Sequence, residues 1–135
     1  MGYPITNIRG IGADIAVLLK SKGIRTTVSL LRSAKTPMQR IKIAEKIGTD
    51  EKRVLDWATA ADRMRVKGVG WEYAELLRAA GVKTANELRY RNPQKLVEKM
   101  KEANDRRNLV RLLPSESMVR RWIESAKKLP PAIRY

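Results

Sequence analysis

Apolar positions in this chain recur at helical spacing and do not alternate as a half-buried strand requires. Ile15, Leu18 and Leu19 form one stripe, and Tyr73, Leu76 and Leu77 form another. A third runs through Val119, Trp122, Ile123, Ala126 and Leu129. The pattern predicts an all-α protein. Local signals place the ends of the helices. Gly23 and Gly81 stand where left-handed glycines close helices. Thr84-Ala85-Asn86-Glu87 reads as a capping box, so a helix starts just after Thr84, and Thr26 caps an equivalent one. Thr36-Pro37 and Asn92-Pro93 put proline at a first helical position. A longer helix is expected from about Asp50 to Met64, and Pro130-Pro131 stops the last one.

These elements repeat. Residues 8–31 and 66–89 align at an offset of 58 with eight of 24 positions identical, where unrelated segments share roughly one or two. The likeness resumes at Thr49–Trp57 and Pro114–Trp122 with an offset of 65. About seven extra residues therefore belong to the second copy, within Glu102–Leu113. A repeated supersecondary unit is the expected organisation: residues 1–62 form one copy and 63–135 the other. No Ser/Gly-rich linker separates them, so the copies should pack as one compact pseudo-symmetric helical body.

Charge and composition narrow the chemistry. The 135 residues carry 29 basic and 14 acidic side chains, a net charge of +15. The excess is +5 in residues 1–62 and +10 in residues 63–135. Such a balance favours polyanionic partners: nucleic acid, anionic lipid or an acidic protein surface. Cysteine and histidine are absent, which removes disulfides, thiolate metal sites and the usual neutral-pH acid–base group. No apolar run suits a membrane span, and the N-terminus lacks a secretory signal core. A cytoplasmic protein is expected, nucleoid-associated if it binds DNA.

Each copy opens with a hydrophobic residue, a base, Gly, a hydrophobic residue and Gly, with Ala four positions on. The instances are Ile8-Arg9-Gly10-Ile11-Gly12 with Ala16, and Val66-Lys67-Gly68-Val69-Gly70 with Ala74. The pattern resembles the helix-hairpin-helix motif. With the downstream helices, nearly the whole chain resembles an uncharacterised bacterial family of tandem helix-hairpin-helix units. The resemblance implies a SAM-like helical fold and sequence-independent binding of a nucleic-acid backbone. Glycine permits positive φ and close backbone approach. The turn should leave the amides of Ile11, Gly12 and Ala13 free at a helix start, where they attract phosphate. Arg9 and Lys67 would add charge-assisted contacts. The candidate phosphate site is thus Arg9, Gly10, Ile11 and Gly12, with Lys67, Gly68, Val69 and Gly70 in the second copy. Where nucleic-acid-binding hairpins often carry a base, this chain has Asp14 and Glu72. Each stabilises its own helix start and competes with a phosphate. Trp71 is expected to pack against the adjoining copy, the alternative being an exposed face offered to a base or sugar.

A second candidate is a basic face. Arg120, Arg121, Lys127 and Lys128 share an arc of about 120° on one helix, interrupted only by Glu124, which lies between the charges and on the margin. Arg106, Arg107 and Arg111 cluster in the extra segment. Trp57 and Trp122 occupy equivalent positions and are expected in the core. With aromatic residues only 5% of the chain and no Phe, there is no platform for single-stranded bases. Catalysis is not expected. Helix-hairpin-helix glycosylases need an Asp downstream of the hairpin and a deep pocket, whereas the carboxylate nearest the position of that Asp after Gly70 is Glu87, already assigned to a cap. No cofactor, metal or small-molecule substrate is implied. The leading expectation is non-catalytic binding of nucleic-acid backbone, duplex DNA first. The alternative is a protein-interaction adaptor whose hairpins are purely structural and whose basic surface meets an acidic protein.

Overall fold

The computed structural model describes residues 2–135. Among them the chain forms a short 3-10 turn, Ile5–Asn7, and eight α-helices. These are α1 (Ala13–Ser21), α2 (Thr27–Ser33), α3 (Pro37–Ile47), α4 (Glu51–Arg63), α5 (Trp71–Ala79), α6 (Ala85–Leu88), α7 (Pro93–Arg107) and α8 (Glu116–Lys127). The described residues contain no strand, only one isolated bridge between Pro4 and Thr26. The fold is all-helical and built on one continuous hydrophobic core.

Helix boundaries follow the local chemistry. Thr26 and Thr36 cap α2 and α3, each in a reciprocal box, with Ser29 and Gln39. Asn92 and Asp50 cap α7 and α4 through the amides of Lys95 and Arg53. At α6 the box is displaced: Thr84 accepts from the Glu87 amide, but the Glu87 carboxylate accepts from the Lys83 amide at 2.7 Å. Gly23 and Gly81 are left-handed, with φ 82° and 94°. In both cases the next amide, of Ile24 or Val82, donates across the helix end to Leu19 or Leu77.

The two sequence copies differ most in and after α7. Pro37 and Pro93 start α3 and α7 at an offset of 56, while Glu51 and Glu116 start α4 and α8 at 65. The difference lies in the longer α7 and the loop after it. Asn104 organises that loop. Its side chain accepts from the Leu109 and Val110 amides and donates to the Val110 carbonyl. Val110 is buried, and the Tyr73 hydroxyl donates to the Leu112 carbonyl at 3.1 Å, so the loop docks against α5.

Trp57 and Trp122 are core residues, 2% and 3% exposed. Each lies under a turn glycine. A Cβ on Gly10 would stand 3.4 Å from the Trp57 Nε1, and one on Gly68 would stand 3.2 Å from the Trp122 Nε1. Both glycines also have positive φ, 94° and 90°. Alanine at either position thus meets left-handed strain of roughly 1–2 kcal/mol together with the indole edge. Gly10→Ala and Gly68→Ala should each destabilise the protein by about 1–3 kcal/mol in urea unfolding. A change below 0.5 kcal/mol, on the order of a neutral surface substitution, would show that the turn relaxes freely.

Helix α4 runs through the expected 62/63 division. Its last turn is buried and enters the second half. The Arg63 Nε and Nη1 donate to the carbonyls of Ala74 and Lys83 at 2.8 and 2.9 Å, and Asp62 accepts from the Ala85 amide. The C-terminal tail packs back on the first half. Arg134 donates from its amide to the Lys35 carbonyl, and buried Arg40 donates to the Arg134 carbonyl at 2.8 Å. One apolar expectation differs between copies: Leu76 is fully buried, but its aligned partner Leu18 is 42% exposed. Helix α5 packs against both α4 and α7, whereas α1 has α3 and only the short 3-10 turn.

Candidate nucleic-acid interface

The turns before α1 and α5 have matching backbone bonds. The Ile11 amide donates to the Ile8 carbonyl at 3.1 Å and the Val69 amide to Val66 at 3.0 Å. Ile11 and Val69 are also buried. This corrects the expectation that both amides are free for phosphate: they close the turn, and their side chains anchor it. The second glycines differ from the expectation too. Gly12 and Gly70 have φ −82° and −87°, ordinary values for any residue. They are the N-caps of α1 and α5, with no side chain to accept a first-turn amide, and a Cβ on either would meet nothing within 4 Å. The outer side of each helix start is therefore open, and its first-turn amides are available to an incoming acceptor.

The cations around the two turns are arranged differently. Beside the first turn, Arg9 approaches Glu75 of α5 at 3.9 Å, and Arg78 approaches the same carboxylate at 3.7 Å. Arg53, which sequence reasoning missed, donates to the Gly10 carbonyl at 3.5 Å and lies over the Trp57 ring. Its place four residues before Trp57 was the available signal. Beside the second turn, Lys67 joins Arg120, Arg121, Glu124, Ser125 and Lys128 around a groove of about 400 Å³. The Lys67 amide donates to the Ser125 Oγ at 3.4 Å, which holds the turn against α8. The structure thus unites one hairpin base with three of the four basic residues expected on α8.

The fourth, Lys127, stands apart and pairs with Glu124 at 3.0 Å. Glu124 lines the groove as well, since 100° per residue puts it between Arg120 and Lys128. Arg120 pairs with Glu116 at 3.0 Å. The cluster of Arg106, Arg107 and Arg111 is divided. Arg106 and Arg107 end α7, where cations complement the helix C-terminus. Arg111 is carried by the loop to a groove of about 610 Å³, shared with Gly68, Gly70, Trp71, Glu72 and Tyr73. Trp71 is 49% exposed and forms a wall of that groove, the less favoured of the two placements expected for it. Asp14 and Glu72 are exposed in the first turns of α1 and α5.

A further basic groove was not foreseen. Lys22, Lys42 and Lys46 rim an apolar floor that includes Leu19, Ile24, Ile43 and Ile47. The i, i+4 spacing of Lys42 and Lys46 on α3 was legible, but their meeting with Lys22 was not. Among the described residues, no group of three or more carboxylates could hold a metal ion, and no helix is long and apolar enough to cross a membrane.

No curated protein and no solved structure matches the chain. The model of one family, Domain of unknown function (DUF4332), matches residues 9–129. With most of its length covered by that match, the chain belongs to this uncharacterised domain family.

Proposed function

We propose that the chain is a tandem helix-hairpin-helix protein, with pseudo-symmetric repeats over residues 1–62 and 63–135. In this reading it binds nucleic-acid backbone, duplex DNA first, without catalysis and without strong sequence preference. The single observation that carries the reading is the groove in which Lys67 of the second hairpin meets Arg120, Arg121 and Lys128 of α8. Four residues on from Lys67 along the chain α5 begins, and its uncapped amides and positive dipole end favour an anion. The net charge of +15 supplies the long-range attraction. The Arg111 loop and half-exposed Trp71 extend this surface on the other side of Gly68. Such a role is accessory or architectural, and it agrees with a location on the nucleoid in the cytoplasm.

The test is fluorescence anisotropy of a labelled duplex of ~20 base pairs across a salt series. Contact with about five phosphates predicts a slope of log K against log salt near −4.5. A slope near zero, or no binding at physiological salt, would overturn the reading. A protein-docking role is favoured by one observation: exposed Asp14 and Glu72 stand at the helix starts that a phosphate would approach. It predicts that Arg9→Glu/Lys67→Glu leaves nucleic-acid binding unchanged.

A further inference from the structure

We propose that the groove between Lys67 and α8 is a phosphate site that has no open counterpart in the first half of the chain. It would seat nucleic-acid phosphates where the first half seats the carboxylate of Glu75. This rests on the backbone-binding reading and narrows it to one hairpin.

The argument is a comparison of aligned positions. At offsets of 58 and 65, the counterparts of Lys67, Glu124, Ser125 and Lys128 are Arg9, Thr59, Ala60 and Arg63. The two sets stand in comparable surroundings, because the same offsets match Gly10 over Trp57 with Gly68 over Trp122. In the first half this place is filled. Thr59, Ala60 and Arg63 are at most 7% exposed, and α5 packs on α4. The Glu75 carboxylate lies 3.9 Å from Arg9, and among neighbouring charges it exerts the strongest pull on Arg63. An anionic oxygen pair is thus supplied from within the chain. In the second half the equivalent place is a groove of about 400 Å³, with Lys67, Glu124 and Lys128 exposed.

Three of its cations, Lys67, Arg121 and Lys128, make no ion pair among the described residues. A phosphodiester offers the same pair of anionic oxygens as a carboxylate and a full negative charge. Arg121 and Lys128 are two helical turns apart, about 10 Å along the axis, so the groove can follow a strand past a single phosphate. The opposing charge in the groove is Glu124, drawn toward Lys127.

The experiment compares wild type, Lys67→Gln/Arg121→Gln/Lys128→Gln, Arg9→Gln and Glu124→Gln by duplex anisotropy across a salt series. Circular dichroism checks that each variant is folded. Each lost phosphate contact lowers the slope by about 0.9 and, at 0.1 M salt, the affinity by about eightfold. The triple variant should therefore lose about 2.7 units of slope and a few hundredfold in affinity. Arg9→Gln should stay within about twofold of wild type, and Glu124→Gln should bind up to about fivefold tighter. If wild type binds with steep salt dependence but the triple variant matches it, this site is wrong while backbone binding stands. A loss of about eightfold in Arg9→Gln, that of one phosphate contact, overturns the one-sided arrangement. If wild type binds a Glu-rich helical peptide but no duplex, both the phosphate site and the backbone reading fall.

Discussion

Arg63→Ala should lower the stability of the protein by about 3–5 kcal/mol, the cost of breaking a buried charged network. The side chain is 1% exposed at the end of α4. Its guanidinium bonds the carbonyls of Ala74 and Lys83, so one residue ties the end of α4 to the first half of α5 and to the segment that leads into α6. Alanine leaves both acceptors without that donor and opens a cavity in the place of a long side chain. Burial pushes the Arg63 pKa down to about 10, against the pull of Glu75. The sign is that of a depressed base. The burial penalty is present below the folded pKa of about 10 and is relieved only as pH rises above it toward the ordinary arginine range. Titration of Arg63 therefore leaves stability near neutral pH unchanged. Urea unfolding followed by far-UV circular dichroism measures the effect. Arg63→Lys keeps the charge but lacks the planar fork, and it should fall between wild type and alanine. A loss under 1 kcal/mol for alanine, on the order of a surface change, would mean that the two halves hold together without this link.

Trp122→Ala should cost a similar amount, about 3–5 kcal/mol. The indole is 3% exposed, packs with Tyr73 at 5.1 Å between ring centroids, and supports the Gly68 turn from beneath. Truncation removes a large apolar volume and the surface on which the turn rests, so duplex affinity should fall with stability. The control is Trp71→Ala. That ring is 49% exposed, and its loss should change stability by less than about 1 kcal/mol. Equal losses for the two variants would show that Trp122 is no more important to the core than a wall of the neighbouring groove.

The local calculus of the chain was legible. Thr26, Thr36, Asp50 and Asn92 cap because each oxygen needs only an amide three residues away. Gly23 and Gly81 end helices for equally local reasons. Reading failed where an outcome depends on distant neighbours. Ile11 and Val69 were expected to offer amides that the turn itself consumes. Leu18 and Leu76 share a pattern, yet only Leu76 has α4 and α7 beside its helix. Nothing in the spacing of Arg40 or Arg63 separates these two buried arginines from the many on the surface.

The candidate site divides the same way. The sequence by itself determined the all-helical elements, the repeated glycine turns, the tryptophans placed for the core and the basic excess of the second half. Only the tertiary structure decided which cations meet. It joins Lys67 to Arg120, Arg121 and Lys128, brings Arg111 to the hairpin, and leaves Arg106, Arg107 and Lys127 outside both grooves. The physical reason is range. Caps and turns depend on atoms a few bonds apart, whereas a groove depends on which helix face remains uncovered. Helix α5 covers α4 in the first half, and α8 keeps its corresponding face open.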